Sequence, residues 1–230
     1  YRAVMEHPLF AKATKHLMIQ VELGDEFLQA NVYTLSLGKR LSLYVIRKDE
    51  FYDRSNPYGC EGRDYDDNDH RFIYFCKAVV EVLRIINFKA DVVHCHDWQT
   101  GLLPILLRME EGKLQDTLAL KTVVTIHNIA FQGIFPNRSF SLTNLPEDLM
   151  GIDGIEFYGQ INMLKGGILF ADSVTTVSPN YSEEIKTSRF GCGLEGVIQM
   201  RAADLSGLIN GVDTEVWNPK ADSLLPENYS

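Results

Sequence analysis

The sequence predicts an α/β protein: a parallel sheet with helices on both faces. Two observations predict it. From about residue 90 onward, short apolar runs such as Val92-Val93, Val123-Val124 and Val174 alternate with stretches of helical periodicity. Strands that alternate with helices build parallel sheets, because each crossover helix carries the chain back so that the next strand runs the same way. The composition is that of a globular chain, 45% hydrophobic and 23% charged over 230 residues. That excludes disorder, collagen and coiled coil as descriptions of the whole, and the chain is taken as a single domain, 1–230.

The elements follow in order. Residues 16–23 read as a strand. Residues 31–37 alternate with period two and 41–46 follow them, so the connection Leu37-Gly38-Lys39-Arg40 predicts a hairpin. A polar loop from about 53 to 69, rich in Gly, Asp and Asn, is long for a compact domain. Asn68 or Asp69 is expected to cap the next helix, whose stripe is Phe72, Phe75/Cys76, Val79, Leu83 and Ile86. Strands are expected at 90–95, 122–126, 173–177 and 206–209. Helices are expected at 98–111 (with Pro104 in its first turns), 156–171, from Pro179 to Lys186, and at 194–203. There is no internal repeat.

Charge and cysteine usage narrow the function. Lys and Arg number 22 against 31 Asp and Glu, a net −9. Such a surface repels nucleic acid and anionic lipid. No apolar run approaches the roughly 20 residues a membrane helix needs. The opening Tyr1-Arg2-Ala3-Val4-Met5-Glu6 does not read as a secretory signal. Cys60, Cys76, Cys95 and Cys192 lie far apart with no C-x-x-C pair, which predicts a reduced, intracellular protein without a metal or disulfide framework.

In open parallel sheets, ligands bind beyond the carboxyl ends of the strands. That rule selects His96-Asp97-Trp98, His127-Asn128, Ser178 and Asn210-Gly211-Val212-Asp213. His94 and His96 share one strand face. A metal site there lacks a third ligand, and the favoured reading is one buried, hydrogen-bonded histidine and one near the crevice. Asp97 is equally an N-cap or a carboxylate that accepts from hydroxyls. Trp98 is core or a ring face for a sugar. His127-Asn128, after a fully apolar strand, is hard to explain as packing, the alternative being a hydrogen-bonded structural pair. Asn210-Gly211 is also a plain turn signal.

The remaining motifs carry less. Gly191-Cys192-Gly193-Leu194-Glu195-Gly196 matches G-x-G-x-x-G by count but does not follow a strand. Lys165-Gly166-Gly167 resembles a phosphate loop, yet lies in a helical pattern, so its glycines read as close helix packing. Glu61, Asp64, Asp66, Asp67 and Asp69 read as a solvated loop. Ser178-Pro179 is not a nucleophile elbow, and no Ser-His-Asp or Cys-His order supports a hydrolase.

Several stretches together resemble the bacterial glycogen synthase and plant starch synthase family. They are Phe51-Tyr52-Asp53-Arg54, the segments 91–102 (with Asp97-Trp98-Gln99-Thr100-Gly101), 125–133, 171–179 and 191–196, and Asn210-Gly211-Val212-Asp213-Thr214-Glu215-Val216-Trp217-Asn218-Pro219. They run in the family's order and cover most of the chain from Phe51 onward; the ordered set, not one motif, is specific. The resemblance implies the N-terminal, acceptor-side half of a two-domain, Rossmann-like GT-B glycosyltransferase. Such an enzyme adds glucose from ADP-glucose to the non-reducing end of an α-1,4-glucan with retention. It implies no metal and no cofactor, and a cytoplasmic protein, or a plastid one if from a plant.

The family's first strand with its Lys-x-Gly-Gly loop, and its nucleotide-sugar domain, are both expected outside this chain, so the fragment alone is expected to be inactive. Residue by residue, the resemblance implies that His127 reaches the donor glucose near O6, with its carbonyl by the anomeric carbon. Asp97 and Trp98 line the sugar site, Asn128 and Asn210 lie at the same cleft, and Tyr58 is the tyrosine of the active-site loop. Open alternatives are a two-domain transferase for another nucleotide sugar and a non-catalytic glucan-binding module.

Overall fold

The computed structural model describes residues 2–86, 88–110 and 120–229. In chain order the regular elements begin with α1 (Arg2–Glu6), β1 (Thr14–Leu23), β2 (Glu26–Ser36), β3 (Ser42–Arg47), α2 (Asp49–Tyr52), β4 (Gly59–Cys60), β5 (Arg63–Asp64) and α3 (Asn68–Ile85). Then come β6 (Val92–His96), α4 (Leu103–Met109), β7 (Lys121–Ile126), β8 (Ile134–Pro136), β9 (Glu156–Phe157) and β10 (Gln160–Asn162). The last are α5 (Met163–Phe170), β11 (Ser173–Thr176), α6 (Pro179–Glu184), α7 (Glu195–Met200) and β12 (Leu205–Gly207).

The central sheet is parallel, in the order β12-β11-β7-β6, and is flanked by helices, so the α/β expectation holds. Its register sets Cys95, Val124 and Val174 in one fully buried row. The next row, His96, Thr125 and Thr175, points to the opposite face because side chains alternate along a strand. The expected hairpin is present: β2 pairs antiparallel with β3, and β1 completes a separate three-stranded sheet. On β1 the inward residues Ile19, Val21 and Leu23 alternate with exposed Met18, Gln20 and Glu22. They pack on α3, whose other side meets α4. Covered on two sides, α3 buries more than one stripe, including Phe72, Ile73, Tyr74, Cys76 and Val80.

Several expected boundaries move, for identifiable reasons. Residues 156–162 are not helical. Tyr158 (φ +49°) and Gly159 (φ +78°) turn the chain between β9 and β10, and Asn162 caps α5 by accepting from the Lys165 N–H at 2.9 Å. The apolar spacing of this stretch fits a helix, but the turn overrides it. The expected helix 98–111 divides into a 3-10 turn, Trp98–Thr100, and α4, with Pro104 in its first turn; Glu111 lies outside the described residues. The helix expected at 194–203 is shorter, at Glu195–Met200.

Asn68 and Asp69 do not cap α3, since Asp67 precedes it. Asn68 donates to the Tyr58 carbonyl at 2.8 Å. Asp69 is not solvated either: it is 6% exposed and accepts from Ser139 Oγ at 2.5 Å and the His70 N–H at 2.7 Å.

Lys165-Gly166-Gly167 is a packing element, as expected. Lys165 is buried and donates to the carbonyls of Ile152 and Glu156. A β-carbon on Gly166 would stand 2.8 Å from both Ile105 and Ile155. Ser178 caps α6 by accepting from the Tyr181 N–H at 3.0 Å. All four cysteines are free thiols; Cys76 and Cys95 are buried, and burial pushes the Cys95 thiol up to about 12.

Candidate functional site

The site starts where β6 and β7 end side by side. The Asp97 N–H donates to the Thr125 carbonyl at 2.9 Å, extending the ladder by one bond. The backbone then turns through φ +55° at Asp97. A non-glycine residue held there stores about 1–3 kcal/mol of strain. Thr100 secures the turn: its Oγ1 accepts from the His96 N–H at 2.7 Å and donates to the His96 carbonyl at 2.9 Å. The Asp97 side chain makes no helix cap. Its Oδ1 instead accepts from the His127 N–H at 2.8 Å, so one carboxylate clamps the end of β7 to the end of β6.

Three histidine rings follow one another on this rim. His127 Nε2 lies 3.0 Å from His96 Nδ1, and the His96 ring centre is 4.2 Å from that of His94. His94 Nε2 meets Thr125 Oγ1 at 2.6 Å, which in turn meets Thr175 Oγ1 at 2.6 Å. The expectation of one buried histidine is therefore corrected: both His94 and His96 are exposed, on a strand that among the described residues pairs with β7 alone. Partial burial, then the neighbouring His94 and His127, hold the His96 imidazole below its ordinary range. The neutral ring this favours shares one N–H with His127. Among the described residues, no three His, Cys, Asp or Glu side chains converge as metal ligands.

The segment after His127 is fixed by a local turn and by one distant side chain. Asn128 Oδ1 accepts from the Ala130 N–H at 3.0 Å, and the Phe131 N–H donates to the Asn128 carbonyl at 3.2 Å. The Ile129 N–H donates to Tyr181 Oη at 2.9 Å. This segment, the Asp97 turn and the 58–68 loop enclose a cavity of about 510 Å3. Tyr58, Asp97, Trp98 and Asn128 all line it. Trp98 resolves as both core and wall: it is 8% exposed, edge-on to Phe72 at 4.6 Å, with Tyr58 at 6.3 Å. His127 is not part of the lining and stands at the rim through the Asp97 clamp. Asn210 is not brought to the cavity: it follows β12, two strands from β7, and is exposed.

Sequence reasoning passed over Gln132, Phe131 and Tyr181 as individual residues. A Gln beside a Gly, a few residues after the polar His127-Asn128 pair at a strand end, is the signal the sequence offers. Gly133 shows how tightly this wall is built. It sits at φ +62°, and an added β-carbon would lie 2.4 Å from Trp98 Cε3. Gly133→Ala is expected to lower unfolding stability by about 2–4 kcal/mol through backbone strain and displacement of the indole. Urea unfolding of the variant checks this; an unchanged midpoint would mean that the ring has room to move.

Known proteins resemble this chain in sequence and in fold. The family model for the starch synthase catalytic domain matches residues 1–200. A glycogen synthase of Opitutus terrae is 56% identical over all 230 residues, which are 48% of that protein. Glycogen synthase 2 of Geobacter sulfurreducens is 44% identical over 211 residues, 92% of this chain and 43% of that one. The chain thus spans about half the length of the curated relatives it matches. Among solved structures, the catalytic domain of starch synthase IV from Arabidopsis thaliana, bound to ADP and acarbose, superposes with a TM-score of 0.79 at 27% identity, covering 94% of this chain and 44% of that one. The fold is accordingly of the GT-B glycosyltransferase type. With the strand-end motifs in order and a family model matching residues 1–200, the chain belongs to the glycogen and starch synthase family.

Proposed function

We propose that this chain is the N-terminal, acceptor-side domain of a synthase that transfers glucose from ADP-glucose to the non-reducing end of an α-1,4-glucan, with retention. The observation that carries the reading is the meeting of Tyr58, Asp97, Trp98 and Asn128 around one cavity, with His127 clamped at its rim. Glucosyl transfer develops positive charge at the anomeric carbon and negative charge on the leaving diphosphate. Fixed dipoles aimed at that charge lower the barrier. The His127 carbonyl and imidazole, on a backbone held by Asp97, are such dipoles; His127 orients the sugar and does not act as a base. Asp97 and Asn128 hold hydroxyls, and the aromatic wall of Tyr58 and Trp98 excludes water. Asn210 belongs to the same cleft in this reading, reaching it with the donor-side domain in place.

ADP is favoured as the nucleotide because the Arabidopsis structure similar to this chain carries ADP. No described helix is long and apolar enough to cross a membrane, and the similar glycogen synthases are bacterial, which favours a cytoplasmic enzyme. The test uses the intact protein, a maltooligosaccharide acceptor and a panel of nucleotide sugars. Chain elongation from ADP-glucose is expected, and none by the 230-residue chain alone. Preference for a non-glucose donor would replace this reading with another transferase. Glucan binding without any transfer by the intact protein would leave a binding module.

A further inference from the structure

We infer that Phe131 is a specificity-determining platform on which a glucose unit of the acceptor glucan stacks, and that Gln132 is the positioning residue that holds it. The inference deepens the proposed function and rests on it for the identity of the reaction. Phe131 lines the cavity yet is 65% exposed. An exposed phenyl ring on a mobile loop would fold onto the nearest apolar surface. Here the loop has no such freedom. Gln132, 5% exposed, spends its whole amide on anchoring: Nε2 donates to the carbonyls of Ile129 and Cys192, both at 3.0 Å, and Oε1 accepts from Asn162 Nδ2 at 2.6 Å. The backbone is tied as well, since the Gln132 carbonyl accepts from the Leu164 N–H at 3.0 Å and the Gly133 carbonyl from the Met163 N–H at 3.1 Å. The backbone that carries the exposed ring is thus fixed in advance of a ligand, and a preorganised contact loses little freedom on binding.

The lining states what that ligand is. Among the described lining residues there is no Lys or Arg, and Asp64 and Asp97 are acidic. A diphosphate is therefore disfavoured, which assigns the cavity to an uncharged ligand. Asn68 and Gln99 add amide donors and acceptors beside the aromatic rings. Apolar faces edged by neutral hydrogen-bonding groups match a pyranose, whose two faces carry C–H and whose rim carries hydroxyls. With no described cation in the lining to hold the donor's diphosphate, the ring is assigned to a unit of the acceptor chain and not to the donor sugar.

The experiment compares wild type, Phe131→Ala, Phe131→Tyr and Gln132→Glu in the intact synthase. It measures KM for maltooligosaccharides of increasing length, KM for ADP-glucose, kcat at saturating acceptor, and maltooligosaccharide Kd by calorimetry without donor. Phe131→Ala is expected to raise acceptor KM and Kd about tenfold, the loss of one aromatic contact. It should leave donor KM and kcat within about twofold, and Phe131→Tyr should restore acceptor KM. Gln132→Glu, which sets an oxygen against two carbonyls, should reproduce the acceptor defect with the ring intact. Unchanged acceptor KM and Kd in Phe131→Ala, or a defect confined to donor KM, overturns the inference. If wild type transfers no glucose, the proposed function fails on its own; the calorimetric arm still decides the platform, a raised Kd in Phe131→Ala supporting it and an unchanged one overturning it.

Discussion

Replacing His127 with alanine in the intact synthase is expected to lower kcat by about two to three orders of magnitude, the effect of removing one preorganised donor from a transition state. The folded protein should barely notice. His127 is exposed, and the bond that fixes its place in the chain is the backbone N–H to Asp97 at 2.8 Å, which alanine retains. The side chain's one described hydrogen bond is with exposed His96 at 3.0 Å, so its loss should change stability by no more than about 0.5 kcal/mol. The separation of the two effects is the test. Steady-state kinetics and thermal unfolding are measured on the same preparations. Near-normal turnover in His127→Ala would remove the role given to this residue, and a large fall in melting temperature would recast it as structural.

What was legible in the sequence followed the physics of local patterns. The strand ending at Ile126 was readable because a buried parallel strand is a nearly continuous apolar run, and the rule of strand ends then selected Asp97, His127 and Asn128 without coordinates. What failed depended on partners distant in sequence. Asp69 looked like one more loop carboxylate, and its burial depends on Ser139, seventy positions away. His94 looked buried because strands flanked by helices usually are, yet among the described residues the face of β6 that carries it is exposed. Residues 156–162 carried apolar spacing compatible with a helix, and only the left-handed Tyr158-Gly159 pair reveals the reversal. Asp97 could not be assigned at all from its neighbours, because its partner is an N–H on the next strand.

Arg71→Met is expected to destabilise the protein by about 3–5 kcal/mol, and the reason lies in one fully buried guanidinium. Its Nε donates to the Phe51 carbonyl at 2.7 Å, Nη1 to Asn68 Oδ1 at 2.5 Å and Nη2 to the Pro57 carbonyl at 2.9 Å, and it lies 5.1 Å from the Tyr65 ring centre. These bonds tie α3 to the segment that ends in Tyr58, so they also set one wall of the cavity. Methionine keeps much of the volume, which separates lost hydrogen bonding from an empty space. An opposing effect has to be weighed. Removing a buried charge relieves its desolvation, and apolar replacement of a complete buried pair is often neutral. Here only the donor goes. Two backbone carbonyls and an amide oxygen remain, each costing about 1–3 kcal/mol if left without a partner. The unpaired acceptors therefore outweigh the relieved charge, and Arg71→Lys, which reaches one acceptor at a time, should fall between Met and wild type. Urea unfolding of the three proteins decides it: a methionine variant as stable as wild type would mean that water reaches these carbonyls and that the arginine does not hold the Tyr58 wall.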